Sequence, residues 1–376
     1  MRPPNEARPH RHLQFAFSRA FALEKPLLDQ LQQNTLQSAF QILRRDYIRR
    51  DELTFEELNR AALQGLLERL NFGAEIVPSG QQTTTTKPYV HAEFLAPDIA
   101  YLRPESFAVG EAALFEKELT KLVEQKARHL ILDLRGTRSA GLFEEAALML
   151  QCFVPMGELM FKMKQIGRDD AELYISKHDQ LWKDNVIVLV DGETNNAGEA
   201  FAACLKQRGR ALIIGEPTRG AAVRHTEIAL DDHATLRYAS AEMLLPDGGT
   251  VFKQGLPPAH VVRASMDEKR KVFDGSRDKS MKPFIVDRVR PRFNERALVG
   301  IQNPELDDYV RRSNGQPLPG DGGQVRDVVT QRAIDLIQGT EFAAQSKINW
   351  NVKPQDLAPR PEVNIPKAIP ANPAKP

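Results

Sequence analysis

Apolar residues first recur at helical spacing between residues 26 and 48, where Leu27, Leu28, Leu31, Ala39, Phe40, Leu43 and Tyr47 make a stripe and Pro26 suits a first turn. A helix is predicted there. A second begins at Thr54, whose hydroxyl and the Glu57 carboxylate have capping-box spacing, ahead of an apolar face of Leu58, Ala61, Ala62, Leu66 and Leu70. Residues 24–72 therefore read as a helical N-terminal segment, and residues 1–23 as a disordered start. Residues 73–88, GAEIVPSGQQTTTTKP, carry Gly, Pro and a Thr run without hydrophobic period, which predicts a linker.

After residue 89 the period changes. HAEFLAPDIAYLRPESF is strand-like, Leu114, Phe115, Leu119, Leu122 and Val123 form a helical stripe, and HLILDL at 129–134 is an apolar strand. A helix near Leu142 to Cys152, the strand VIVLV at 186–190, a helix over 197–207 and the strand ALII at 211–214 follow. Such alternation predicts an α/β domain of parallel βαβ units, and the unbroken apolar runs predict strands covered on both faces. The C-terminal half turns β-rich, with HTEIAL, ATLRYAS and AEMLL between turn signals over 225–262. Residues 264–296 are dense in charge and read as a solvated excursion. The helix VRDVVTQRAIDLIQG then docks through Val328, Ala333, Ile334 and Ile337, with Gly339 as its stop, which closes the domain at about residue 340. Residues 351–376 are rich in Pro and poor in apolar side chains, so this tail is expected to be disordered.

Composition narrows the class. With 51 Lys+Arg against 50 Asp+Glu, a net charge of +1 gives no electrostatic reason to expect nucleic acid as a partner. No apolar run is long enough to span a bilayer. LQFAFSRAFAL, interrupted by Ser18 and Arg19, makes a poor signal-peptide core. Cys152 and Cys204 lie in apolar helix-like stretches and read as buried free thiols. No His/Cys/Asp grouping has zinc spacing, and Gly215 to Gly220 lacks the ending of a phosphate-binding loop, so neither metal nor cofactor is expected.

Three stretches, in order, resemble the tail-specific or C-terminal processing serine peptidases: residues 130–146 (LILDLRGTRSAGLFEEA), residues 188–223 (VLVDGETNNAGEAFAACLKQRGRALIIGEPTRGAAV) and residues 241–262 (AEMLLPDGGTVFKQGLPPAHVV). The likeness extends over most of residues 24–339. It implies a spiral α/β core akin to crotonase and Clp-type peptidases, a location outside the cytoplasm, and acyl transfer by a serine at a strand-to-helix turn with a neutral lysine as base. The family's nucleophile turn, Ser-Ala-Ser-Glu, matches Asn196, Ala197, Gly198 and Glu199, so the nucleophile position holds Asn196. Its lysine segment, Thr-Phe-Gly-Lys-Gly, matches residues 218–222, which puts Ala221 at the base position. A supporting aspartate found in some members falls on Gln207. The backbone near Ala140 and Gly141 matches the carbonyl-stabilising element, which needs no side chain. The 16 residues of the linker are too few for the substrate-gripping PDZ module of the family's usual layout.

A substitute site would need another hydroxyl and base. Thr194 and His225 are the candidates, set against plainer readings as a turn hydroxyl and a strand-surface residue. Lys206 reads as a solvated helix residue. Arg219 and Arg224, with Arg208 and Arg210, gather in sequence near the site and would favour a carboxylate such as a peptide C-terminus. The sequence thus predicts a non-catalytic peptidase homologue that binds a peptide or protein partner. A serine-type peptidase with a non-standard residue set and a carrier of small apolar ligands are the alternatives.

Overall fold

The computed structural model describes residues 29–80, 87–137, 142–285, 304–313 and 325–346. The expected disordered start and Pro-rich tail both lie outside these residues. The described residues fall into two compact units, one of residues 29–80 with 227–238 and one of the remaining described residues.

The first unit holds the two predicted helices, α1 (Gln33–Asp46) and α2 (Phe55–Leu70). Thr54 caps α2 by accepting from Glu57 N at 3.1 Å. Neither helix has a buried residue, and Phe40, Leu43 and Leu66 are exposed. The linker reading fails at its start. Ala74–Pro78 is a strand, β1, whose partners are residues 234–238, running antiparallel from Ala74↔Tyr238 to Pro78↔Ala234. Alternation over these five residues was too short to register as a period, and their pairing is supplied from far along the chain.

The second unit is the α/β domain. Its six-stranded sheet contains β2 (Val90–Ala96), β3 (Ile99–Pro104), β4 (His129–Asp133), β7 (Val186–Val190), β8 (Ala211–Gly215) and β11 (His260–Val261), in the order β11-β8-β7-β4-β3-β2. All neighbours are parallel except β2 and β3. Side chains alternate between two cores. Leu130, Leu132, Val186, Val188 and Val190 face one, which includes Phe115 of α3 (Glu111–Glu124), Phe143 of α4 (Phe143–Leu150) and Phe201 of α5 (Asn196–Gln207). Ile131, Ile187, Leu189 and Ile214 face the other, with Val272 of α6 (Met266–Ser276) and Ile334 and Ile337 of α8 (Val328–Gln345). Helices on both faces explain the unbroken apolar runs.

Antiparallel pairing links β5 (Leu159–Gln165) to β6 (Glu172–Ile175) and to β10 (Ala234–Leu244), which also pairs with β9 (Val223–Ala229). Two of the expected strands are one, because ATLRYAS and AEMLL join as the 11-residue β10. The charged excursion also needs correction. Ser265 and Glu268 form a full capping box for α6, whose Lys269, Val272 and Ser276 are buried. Its charge density hid an apolar stripe only one or two residues wide. Residues 286–303, the rest of that segment, lie outside the described residues, and α7 (Pro304–Ser313) follows. Finally, α8 does not stop at Gly339 but runs to Gln345, since a helical glycine with open space around it costs only about 1 kcal/mol.

Candidate functional site

The parallel strands deliver their C-terminal ends to one side of the sheet, where open α/β folds gather functional groups. After β7 the chain turns through Asp191 to Asn195 and enters α5 at Asn196. Asp191 Oδ1 shapes this turn by accepting from Glu193 N and Thr194 N at 3.0 Å and from Gly136 N at 3.2 Å. Asn196 then takes φ of +40°, a left-handed value that asparagine tolerates better than most residues. It is buried, and its Oδ1 has no hydrogen-bond partner among the described residues.

One turn into α5, Glu199 is wholly buried and grips the loop after β8. Its Oε1 accepts from Gly220 N at 2.6 Å and from the Thr218 hydroxyl, and its Oε2 accepts from Ala221 N at 2.7 Å. Burial pushes this carboxyl above its ordinary value, against the pull of those bonds and of the Asn196 backbone. A second tie comes from Arg219 N, which donates to Thr194 O at 3.1 Å. The turn carrying Asn196 and the loop carrying Ala221 are therefore held in one fixed register. Gly220, at φ of +77°, makes this possible: a Cβ there would lie 2.8 Å from Gly255 N.

Those positions offer little to acyl transfer. The Asn196 amide nitrogen is delocalised into its carbonyl, the Ala221 methyl accepts no proton, and both Glu199 oxygens are already engaged. Gln207 ends α5 exposed, hydrogen-bonded to Asp247, whose carboxyl is held below its ordinary value by Gly249 N and then by this amide. Ala140 and Gly141 lie outside the described residues.

Thr194 is fully buried, and its hydroxyl lies 2.9 Å from Leu134 O, 3.0 Å from Asp191 N and 3.2 Å from Asp191 Oδ1. His225 is not among its partners; it sits half-buried on β9. The arginines do not converge. Arg224 bonds Glu144 and Glu172, each at 2.9 Å, Arg208 bonds Glu158, and Arg210 bonds the Asp184 carbonyl near the opposite strand ends. Arg219 is exposed on the loop beside Thr194. Lys206 donates to Pro257 O at 2.7 Å in an exposed contact.

The sequence did not reveal the ionic network beneath the turn. Arg135, 1% exposed, bonds Asp133 at 2.6 and 2.9 Å, Asp327 at 2.7 and 2.9 Å and the Thr330 hydroxyl at 3.0 Å. Tyr101 donates to Asp133 at 2.7 Å, and Lys269 to Asp191 at 2.7 Å. Burial works against each charge, yet Asp133 and Asp327 hold the Arg135 guanidinium well above its ordinary value, and Arg135 holds Asp327 below its own. Burial likewise opposes the Lys269 bond at Asp191, and the bond prevails, leaving that carboxyl low. The Asp-Leu-Arg string was visible in the sequence; its partners Asp327 and Thr330, 192 and 195 residues beyond Arg135, were not.

A strand-to-helix turn is thus closed onto the loop after β8, on a mixed α/β sheet. Residues 98–262, the stretch that carries the Asn196 turn and the loop after β8, match the family model described as peptidase family S41. The chain is 27% identical over 226 residues to the carboxy-terminal processing protease CtpA of Bacillus subtilis, covering 60% of this chain and 46% of that one. It is 25% identical over 198 residues to "Probable CtpA-like serine protease" of Staphylococcus epidermidis, covering 50% and 40%. The photosystem II D1 C-terminal processing protease structure covers 48% of this chain and 49% of its own, at 23% identity and a TM-score of 0.40. The chain thus spans less than half the length of the curated relatives named here.

Proposed function

We propose that this S41 domain binds a peptide or protein without cleaving it, acting as a scaffold or regulator derived from a C-terminal processing protease. The observation that carries the proposal is the Glu199 clamp. By bonding Ala221 N from within α5, it supports the register in which an amide and a methyl stand at the family's nucleophile and base positions. The packing of Thr194 adds weight, because its hydroxyl is committed to Leu134 O and Asp191. The buried, unpartnered Asn196 Oδ1 supplies an acceptor for a ligand N–H.

The test is a peptide-binding titration followed by mass analysis of the recovered peptide. Peptides with a free C-terminal carboxylate are expected to bind, to bind more weakly to Arg219→Ala, and to be recovered intact. Turnover by the unaltered protein that disappears in Thr194→Ala would replace this reading with that of an active peptidase.

A further inference from the structure

At the other ends of the parallel strands, away from the Asn196 turn, Asp98, His129 and Glu341 come together. One ligand atom from each lies within 4.8 Å of the other two. We propose that these three residues form a divalent transition-metal site, of the kind zinc occupies, that pins the end of α8 to the sheet.

The residues are separated by long stretches of sequence, so no spacing announces them. Asp98 stands in the turn between β2 and β3, His129 opens β4, and Glu341 lies beyond Gly339, in the part of α8 that continues past its predicted stop. Two of the three positions are set by backbone. Asp98 O accepts from both Arg128 N and His129 N at 3.0 Å, which fixes the turn against the strand start. Glu341 Oε1 lies 2.8 Å from His129 Nε2, so the imidazole already faces the helix carboxylate.

Tetrahedral zinc with ligands at about 2.1 Å needs ligand atoms roughly 3.4 Å apart, a spacing that small side-chain rotations reach from the observed one. One imidazole nitrogen with two carboxylates suits zinc or a neighbouring first-row ion. Calcium, which takes six or more oxygens, fits poorly. Side-chain exposures of 24 to 30% leave the group sheltered yet reachable. His129 also lines a cleft of about 390 Å³ with Arg210, Leu336 and Thr340.

Arg128 is the competing cation, 3.8 Å from Asp98 and 3.9 Å from Glu341. Its side chain is 69% exposed and can swing into water when a metal arrives. The site should therefore bind more tightly once Arg128 is removed, whereas a purely structural ion-pair cluster predicts no metal affinity to strengthen.

The experiment is competition for Zn2+ against a chromophoric chelator, using the full chain with His10→Ala and His12→Ala to remove the other closely spaced histidines. The expected result is one equivalent bound, an affinity at least tenfold weaker in His129→Gln and in Asp98→Asn, and several-fold stronger in Arg128→Ala. Asp98→Asn keeps the backbone carbonyl that orders the turn, so it reports on ligation even if His129→Gln fails to fold. Zn2+ should also raise the unfolding midpoint of the parent and not of Asp98→Asn. Absence of stoichiometric binding, or equal affinity in parent and Asp98→Asn, would overturn the proposal.

Discussion

Asn196 and Gly198 show how closely the site is fitted around the residues this chain carries. A Cβ at Gly198 would stand 2.9 Å from Thr137 Oγ1 and 3.3 Å from Thr194 Cγ2. Here the Thr137 hydroxyl and the Thr194 methyl take up the room that any larger side chain would need. Gly198→Ala is therefore expected to cost about 1 to 3 kcal/mol through overpacking, read as a lower midpoint in chemical denaturation. An unchanged midpoint would mean that Thr137 moves aside freely. The identities at 196 and 221 were legible in the sequence once the flanking strings were placed. The role of Glu199 was not, because a buried carboxylate bonding two backbone amides leaves no mark on hydrophobic period.

Elements here are joined by buried charge as well as by apolar packing. Asp327 caps α8 through Val329 N and Thr330 N while its oxygens hold Arg135 at the end of β4. Removing its charge leaves the buried Arg135 with Asp133 as its remaining ion-pair partner among the described residues, and breaking such a pair costs about 3 to 5 kcal/mol. Asp327→Asn should lose about that much in a denaturant titration, and a change under 1 kcal/mol would show that the network contributes little. The βαβ order and the two-faced cores were legible because VIVLV, and LIL at 130–132, have no polar interruption. By contrast α6 was missed, since its buried Lys269 counts as polar in any pattern, and its partner Asp191 is 78 residues away.

For the whole domain, the same carboxyls set an acid limit. Asp191 and Asp327 titrate below their ordinary value of 3.8 when folded. Below that value the unfolded chain binds more protons than the folded one, so stability is fully present above pH 3.8 and is lost as the pH falls through the folded values. Glu199 acts with the opposite sign. Its folded carboxyl lies above the ordinary 4.5, so the folded state holds more protons just above that pH and stability declines as the pH rises through this window. Thermal midpoints should therefore climb from pH 3 to about 4, with a shallower climb in Asp327→Asn; parallel profiles for both proteins would contradict the assignment.

The domain's family likeness and the proposed absence of cleavage rest on different grounds: the first on sequence, the second on where two side chains stand. The direct measurement is the intact mass of the protein after exposure to a fluorophosphonate, which marks activated serine and threonine hydroxyls. The expected result is no adduct on the unaltered chain. An adduct on the unaltered chain, mapped to Thr194 or to any other hydroxyl beside the Asn196 turn, would show that a working nucleophile survives and would contradict the account.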